Sequence, residues 1–482
     1  MVGRRSWHVR CGVALLAGGL PLACASLSGL SGGTDASVKH DAQVADAAPP
    51  ARDATTPLDV TSPVADATTP VDTGSDARDA TSTVDAKDAK AAKDAKDAGD
   101  ASPHADGALA DAHDAGPIVA TSVSVGGKHA CALLEGGTVW CWGANSYDQL
   151  GTGHSSDGGV PTPSLVPGLT GVTQVSVGFY HACALVTGGS VMCWGANTDG
   201  ELGNGQTATS SPGPVAVVGI TDAIAVAAGD NFTCALMHDH TVQCWGLNED
   251  GELGNGGTTT FTAPKVVVGV TAAFGIAVGN FHACVLVSGG VQCFGSNYYG
   301  QLGRAVAGDA GNVNPGVMAV PGLTSGVSAI AAGGFHTCAL LTTGAVKCWG
   351  LNSDGQLGDN STVSSPTPVV VSGITGAVAL AAGQYHTCAV VTGGSVQCWG
   401  NNASGELGNG GLENTSLVPV AVSNLTLDVP LKAGETLLSL GADSTCGVVT
   451  GGSIDCWGDD AYGEVGNGQT SGQVHVPVPV VW

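Results

Sequence analysis

Basic residues are scarce in this sequence: 15 Lys and Arg stand against 40 Asp and Glu, a formal net charge of −25 over 482 residues. Beyond residue 116 only Lys128, Lys265, Arg304, Lys347 and Lys432 are cationic. So thin a scatter cannot build the positive surface that a phosphate backbone or an anionic membrane needs, which excludes nucleic acid as a partner and leaves a lipid anchor as the route to a membrane. Aromatic residues are few as well, at 5%, and no stretch spaces its apolar residues as an amphipathic helix does. A helical core is thereby excluded. No nucleophile stands beside a base, and no spaced carboxylate pair or closed metal set departs from the surrounding pattern. The expectation is a non-catalytic protein without a cofactor. Glycine and cysteine, by contrast, are abundant, at 76 and 16 residues, and together they describe a turn-rich β protein with covalent cross-links.

Charge divides the chain into parts. Residues 1–34 hold Arg4, Arg5 and Arg10 and no acid. This basic start precedes the apolar run CGVALLAGGLPLA at 11–23. The run is shorter than the ~20 residues that span a bilayer, so residues 1–23 read as a signal peptide for export. LPLAC at 20–24 looks like a lipobox, which makes Cys24 the candidate lipidation site, while Ala23-Cys24-Ala25 also fits ordinary signal cleavage. Both processing routes stay open. From 35 to 116, seventeen Asp face seven Lys or Arg in an Asp-Ala low-complexity pattern with Thr-Pro pairs. Nothing there offsets the entropy of ordering, so 24–116 is expected to be a disordered stalk. The folded part is expected over 117–482, at the cell envelope or outside the cell.

From residue 118 one unit recurs: a short apolar strand ending in Gly, then HACAL, a Gly-rich turn, VxCWG, an NxxGxLG turn and a Pro-containing strand. Cysteine pairs count seven copies: Cys131/Cys141, Cys183/Cys193, Cys234/Cys244, Cys284/Cys293, Cys338/Cys348, Cys388/Cys398 and Cys446/Cys456. Several short strands repeated at a period near fifty residues mark propeller blades. The fold class expected is all-β, a seven-bladed β-propeller. Both ends of the repeat region fall at equivalent points of the unit, so closure by a whole-unit blade and by a shared blade are both allowed.

Spacing predicts the register within each unit. If Cys131 faces Cys141 across an antiparallel pair, Glu135-Gly136-Gly137 closes a three-residue hairpin; in the shorter fourth copy, Cys284 faces Cys293 and Ser288-Gly289 forms a two-residue turn. The same register sets Ala130, Ala182, Thr233, Ala283, Thr337, Thr387 and Thr445 opposite Trp142, Trp194, Trp245, Phe294, Trp349, Trp399 and Trp457. A small residue opposite a large ring suits stacked sheets, so these rings are expected between blades. Alternation puts the cysteines on the other face, where direct opposition permits seven disulfides. Zinc is the rival, because His129, His181, His282, His336 and His386 precede the cysteines by two positions. Phe232 and Ser444 in the same place of the third and seventh copies argue against it.

The pattern GxxHxCALxxGGxVxCWGxNxxGxLGxG resembles the repeat of the regulator of chromosome condensation family, with cysteines at positions that are apolar there. The resemblance covers about residues 118–482 and implies the seven-bladed propeller. It also raises guanine-nucleotide exchange on a small GTPase, the activity of the family's best-known member, although an exported acidic protein would lack access to that partner. Exported bacterial relatives that bind a protein through one propeller face offer the nearer precedent. The expectation is therefore a monomeric binding module for a protein that the sequence does not name, with carbohydrate binding as a further alternative. Tyr180, Phe281, Phe335 and Tyr385 precede the strand His in one phase of the repeat. They are candidate partner-binding residues, with packing between blades as the competing reading. The variable loops 304–314 and 423–437 are a second candidate set. NTDGELG and NEDGELG share calcium-loop composition but lack its full ligand pattern.

Overall fold

The computed structural model describes residues 118–305, 313–427, 436–470 and 472–482. Cys24, the signal peptide and the stalk lie outside these residues, as do 306–312 and 428–435 of the two variable loops. Among the described residues every regular element is a strand, and the strands form seven four-stranded antiparallel sheets, each in chain order. The first blade consists of Ala120–Val125, His129–Leu134, Val139–Asn145 and Ser156–Leu165. The last consists of Leu438–Leu440, Ser444–Val448, Ile454–Asp460 and Gly472–Pro479. Among the described residues no strand is exchanged between the first and last blades, so these close as whole units.

The hairpins take the register that the cysteine spacing predicts. Ala130 faces Trp142 and Cys131 faces Cys141, and the fourth blade pairs Cys284 with Cys293 and Val287 with Gly290. In that shorter hairpin Ser288 and Gly289 both have positive φ, 49° and 76°, the geometry of a two-residue turn that matches strand twist. The third and fourth strands of the first blade shift register between Cys141 and Gly143. Gly143 has φ 101° there, and a Cβ would sit 2.6 Å from the Lys128 carbonyl oxygen, so only glycine fits the position.

The core lies between blades, not within them. Cys131, Cys141, Leu150 and Val166 of the first blade pack with Val175, Ala182 and Trp194 of the second. Each cysteine pair is thus covered by the ring of the following blade, and Trp142, Trp194, Trp245, Trp349, Trp399, Trp457 and Phe294 are fully buried.

Each opposed cysteine pair is joined as a disulfide. Cys131 is bonded to Cys141, Cys183 to Cys193, Cys234 to Cys244 and Cys284 to Cys293. In the last three blades Cys338 is bonded to Cys348, Cys388 to Cys398 and Cys446 to Cys456. Their Cα atoms lie 4.0–4.1 Å apart, the close approach of non-hydrogen-bonded opposed pairs. Every one of these staples is therefore internal to one hairpin, and among the described residues no disulfide joins one blade to another.

The first strands surround a central channel. Their terminal glycines approach one another so closely that a Cβ on Gly126 would lie 1.9 Å from the Gly178 carbonyl oxygen. Backbone bonds then pass from blade to blade: Phe179 N to Gly229 O at 3.0 Å, Gln384 N to Gly441 O at 3.0 Å, and Ala442 N to Gly126 O at 3.0 Å. The last of these closes the ring. Away from this constriction the channel widens into a cavity of ≈ 390 Å³ lined by residues such as Ser124, Ser176, Ala227 and Leu380.

The fourth strands form the outer edges. Their ladder groups would offer a template for pairing with another chain, and prolines such as Pro161, Pro163, Pro264 and Pro366 interrupt it.

Candidate interaction face

Strand direction alternates within each blade, so the turn between first and second strands and the loop between third and fourth open at the same end of the ring. Tyr180, Phe281, Phe335 and Tyr385 each occupy the last position of the first of these turns, and all four are half-buried. Phe281 and Phe335 have ring centroids 5.8 Å apart, Phe335 and Tyr385 6.0 Å. Tyr299, from the third-to-fourth-strand loop of the fourth blade, meets Phe335 edge-on at 5.5 Å. Phe281, Tyr299, Phe335 and Tyr385 form a continuous aromatic arc over three adjacent blades. Tyr180 stands apart from it, tilted against Phe179 at 4.6 Å and Tyr147 at 5.0 Å.

Sequence reasoning missed Phe179, Tyr147 and Tyr299. A signal was present for the tyrosines, because NSYDQLG and NYYGQLG carry Tyr where NTDGELG, NEDGELG and NSDGQLG carry Asp. What alternates along the loop sequence becomes adjacent on the ring, since each loop leans on the turn of the next blade.

The loops are held from beneath. The side-chain oxygens of Asn145, Asn197, Asn248, Asn297, Asn352, Asn402 and Asp460 accept the backbone N–H five residues on. A Gln or Glu four residues after each of them bonds the backbone from inside the loop, as Glu201 does to Asp199 N at 2.9 Å. Four of these positions are glutamates, Glu201, Glu252, Glu406 and Glu464, and burial pushes each carboxyl up to about 7. The acidic repeats in the turns therefore serve loop geometry.

Partly buried carboxylates also stand on this face. Burial, with Asp199 nearby, pushes Asp230 up to about 6. Burial and Asp459 likewise push Asp443 above the ordinary carboxylate range. The phenols of Tyr180 and Tyr385 are raised too, by burial first and then by neighbouring aspartates, Asp230 for the former and Asp354 and Asp443 for the latter.

The strand histidines have a different partner from the cysteines they precede. His181, His282, His336 and His386 each place Nε2 2.8 Å from a threonine hydroxyl of the next blade, Thr233, Thr337, Thr387 and Thr445. Each of these rings is fully buried, and burial lowers its pKa to about 3 or about 4. With Cys183–Cys193, Cys284–Cys293, Cys338–Cys348 and Cys388–Cys398 all bonded on the same strands, the His-x-Cys spacing serves blade-to-blade bonding. The third and seventh blades keep their disulfides, Cys234–Cys244 and Cys446–Cys456, where Phe232 and Ser444 replace the histidine.

A rigid seven-bladed β-propeller of disulfide-stapled four-stranded units, with an aromatic and acidic rim at one channel mouth, defines the class. Within that class the chain belongs to the family of the Regulator of chromosome condensation (RCC1) repeat, whose models match residues 120–149, 172–201, 223–252, 275–301, 327–356 and 377–406 and, in longer stretches, 136–185, 188–236 and 343–390. Among curated proteins it is similar to the Ultraviolet-B receptor UVR8 of Arabidopsis thaliana, 32% identical over 258 residues, covering 52% of this chain and 57% of that protein. It is also similar to the E3 ubiquitin-protein ligase HERC2 of Homo sapiens, 33% identical over 262 residues, which are 52% of this chain but 5% of HERC2. The match thus spans little more than half of one relative and a small fraction of the other. Among solved structures, yeast RCC1 (Prp20), determined bound to Kap60, superposes with a TM-score of 0.63 at 23% identity, covering 75% of this chain and 85% of that one. Human WBSCR16 superposes with a TM-score of 0.57 at 24% identity, covering 68% and 85%. At such identities these structures bear on the fold alone.

Proposed function

We propose that this protein is an exported, envelope-anchored scaffold that binds another protein through the aromatic end of its propeller and performs no chemistry of its own. The observation that carries the reading is the arc Phe281, Tyr299, Phe335 and Tyr385, large rings held half-exposed at one channel mouth on a framework of seven disulfides. Rings positioned by a rigid body lose little freedom on binding, and such residues dominate interface energetics. Seven buried disulfides support an oxidising compartment, in keeping with the signal-like residues 1–23 and with lipidation at Cys24. An exchange-factor reading draws only on the family, and no residue of the face points to a nucleotide-bound partner.

Two measurements test the proposal. Fractionation of cells should place the protein in the envelope or outside the cell, with its cysteines oxidised; a cytosolic pool with free thiols would overturn the exported reading. Crosslinking of intact envelopes followed by mass spectrometry should return a protein joined to residues of the aromatic end. Crosslinks confined to the opposite end would reject the assignment of the face.

A further inference from the structure

The aromatic end is also where the acids of the propeller collect. Strand direction brings Asp148, Asp199, Asp250 and Asp354 from one set of loops, and Asp230 and Asp443 from the turns, to the same rim. The opposite end is built largely from Gly, Thr and Ser turns.

One slot of this rim holds a cation supplied by the protein itself. Across the seam between the last blade and the first, Lys128 Nζ stands 4.9 Å from the centroid of the Tyr462 ring. Its charge acts on Asp443 and Asp459, drawing both down against the burial that raises them. An aromatic face with carboxylates beside it is thus, in this molecule, a place where a lysine sits.

The arc of Phe281, Tyr299, Phe335 and Tyr385 has the same ingredients without the lysine. Phe335 and Tyr385 lie 6.0 Å apart and inclined by only 29°, and Asp354 and Asp443 are close enough to act on the Tyr385 phenol. Among the described residues, the cation contacts with rings are those of Lys128 with Tyr462 and Lys265 with Phe261, so no cation of the described chain covers the arc. An ammonium or guanidinium within about 6 Å of a ring centroid is attracted by the ring quadrupole, more strongly where it is partly desolvated.

We propose that the arc binds a lysine- or arginine-bearing segment of a partner protein, one cationic side chain seating over Phe335 and Tyr385 in the field of Asp354 and Asp443. The inference rests on the scaffold reading and names the chemistry of its partner. Charge complementarity selects a cationic occupant, because residues beyond 116 carry twenty-three acids against five bases. A neutral sugar would use the rings and leave the Asp354 charge unmatched. The chain's own Lys87, Lys90, Lys93 and Lys96 alternate with Asp85, Asp88, Asp94 and Asp97, so that segment brings no net positive charge.

Fluorescence anisotropy with labelled octa-arginine and octa-glutamate peptides tests the proposal on the full-length protein. Octa-arginine should bind and octa-glutamate should not, with affinity falling as salt rises. Phe335→Leu combined with Tyr385→Leu keeps apolar volume and should weaken octa-arginine by about tenfold. Asp354→Asn should weaken it about threefold, at a thermal midpoint equal to that of the parent. Glu135→Gln with Asp239→Asn, at the opposite end, should change nothing. Equal losses from variants at the two ends would mean attraction to overall charge only, and unchanged affinity in the leucine variant would place the site elsewhere; either result overturns the proposal. So would a several-fold gain when Lys87, Lys90, Lys93 and Lys96 are changed to Gln, which would assign the arc to the chain's own segment. If envelope crosslinking recovers the same partner with the parent and with the leucine variant, the scaffold reading stands and this inference alone fails.

Discussion

His181 Nε2 lies 2.8 Å from Thr233 Oγ1 in the next blade, and the same hydroxyl donates to the Glu201 carbonyl oxygen at 3.0 Å. A hydroxyl has one proton, so with that proton given to the carbonyl, the imidazole must donate from Nε2. Trp245 Nε1 donates to the same carbonyl at 2.7 Å, and blade-to-blade contact is thereby bonded as well as packed. The pairs His282–Thr337, His336–Thr387 and His386–Thr445 repeat the arrangement. Where the third blade has Phe232 in the His place, the fourth has Ala283 in the Thr place. The first junction breaks the rule, for His129 meets a blade with Ala182, and neither of its ring nitrogens has a partner among the described residues.

That mismatch makes a prediction of unusual direction. Ala182→Thr should supply the missing hydroxyl and raise stability by about 1 kcal/mol, while Thr337→Val should remove an acceptor and a donor from a buried chain and lower it by about 2 kcal/mol. Denaturant unfolding of both variants beside the parent gives the comparison. A destabilised Ala182→Thr would show that the belt is not transferable between junctions.

Stability should depend on pH through two buried sets of opposite sign. Glu201, Glu252, Glu406 and Glu464 are raised by burial to about 7, above their ordinary 4.5. Their contribution is fully present below pH 4.5 and lost as pH rises through 7. His129, His181, His282, His336 and His386 are lowered by burial from 6.5 to about 3 or about 4. Theirs is present above pH 6.5 and lost as pH falls toward those values. The slopes oppose between pH 4.5 and 6.5, so the thermal midpoint should change little there and fall steeply below. Gln149, Gln301 and Gln356 already occupy the glutamate position in three blades, so changing the four glutamates to Gln should raise the midpoint at pH 8 more than at pH 5. An equal gain at both would remove burial of charge as the cause.

The disulfides should be inert in the folded protein. Cys131, Cys141, Cys183, Cys193, Cys234, Cys244, Cys284, Cys293, Cys338, Cys348, Cys388, Cys398, Cys446 and Cys456 are all fully buried, so alkylation under native conditions with a mild reductant should leave peptides carrying them unlabelled. Unfolding followed by reduction should expose all fourteen thiols to the label. Replacing Cys284 and Cys293 together by Ala should cost about 2–3 kcal/mol by the chain-entropy argument for a short loop, read as a lowered denaturant midpoint. Labelling of those thiols before unfolding would contradict the buried placement.

Trp482 acts as a clasp on the closing seam. Its ring meets Trp140 and Trp142 of the first blade edge-on, at 6.1 and 6.3 Å, and Trp142 Nε1 donates to the Glu464 carbonyl of the last blade at 2.8 Å. No strand of the described residues is shared between the ends, so this contact joins the backbone bond from Ala442 N to the Gly126 carbonyl in holding the seam. Trp482→Ala should lower stability by about 2–3 kcal/mol and raise hydrogen exchange first in 120–134 and 438–460. Uniform loss of protection around the ring would count against a local clasp.

Local chain geometry, repeated seven times, made the blades, the hairpin register, the opposed cysteines and the small residues facing the rings readable from the residues. Cys131 with Cys141 and Ala130 with Trp142 are related by a turn of three residues, and the turn chemistry is written at those positions. Cys193, Cys244, Cys348, Cys398 and Cys456 follow the same rule, each meeting the cysteine ten residues before it. Whole-unit closure, the His–Thr belt and the aromatic arc emerge only in the assembled ring. His181 and Thr233 lie on different blades, as do Phe281, Phe335 and Tyr385, and no local periodicity says which face of one blade meets which face of the next. The ring sets those neighbours, because seven twisted sheets packed around one axis bring the cysteine face of each against the aromatic face of the one that follows.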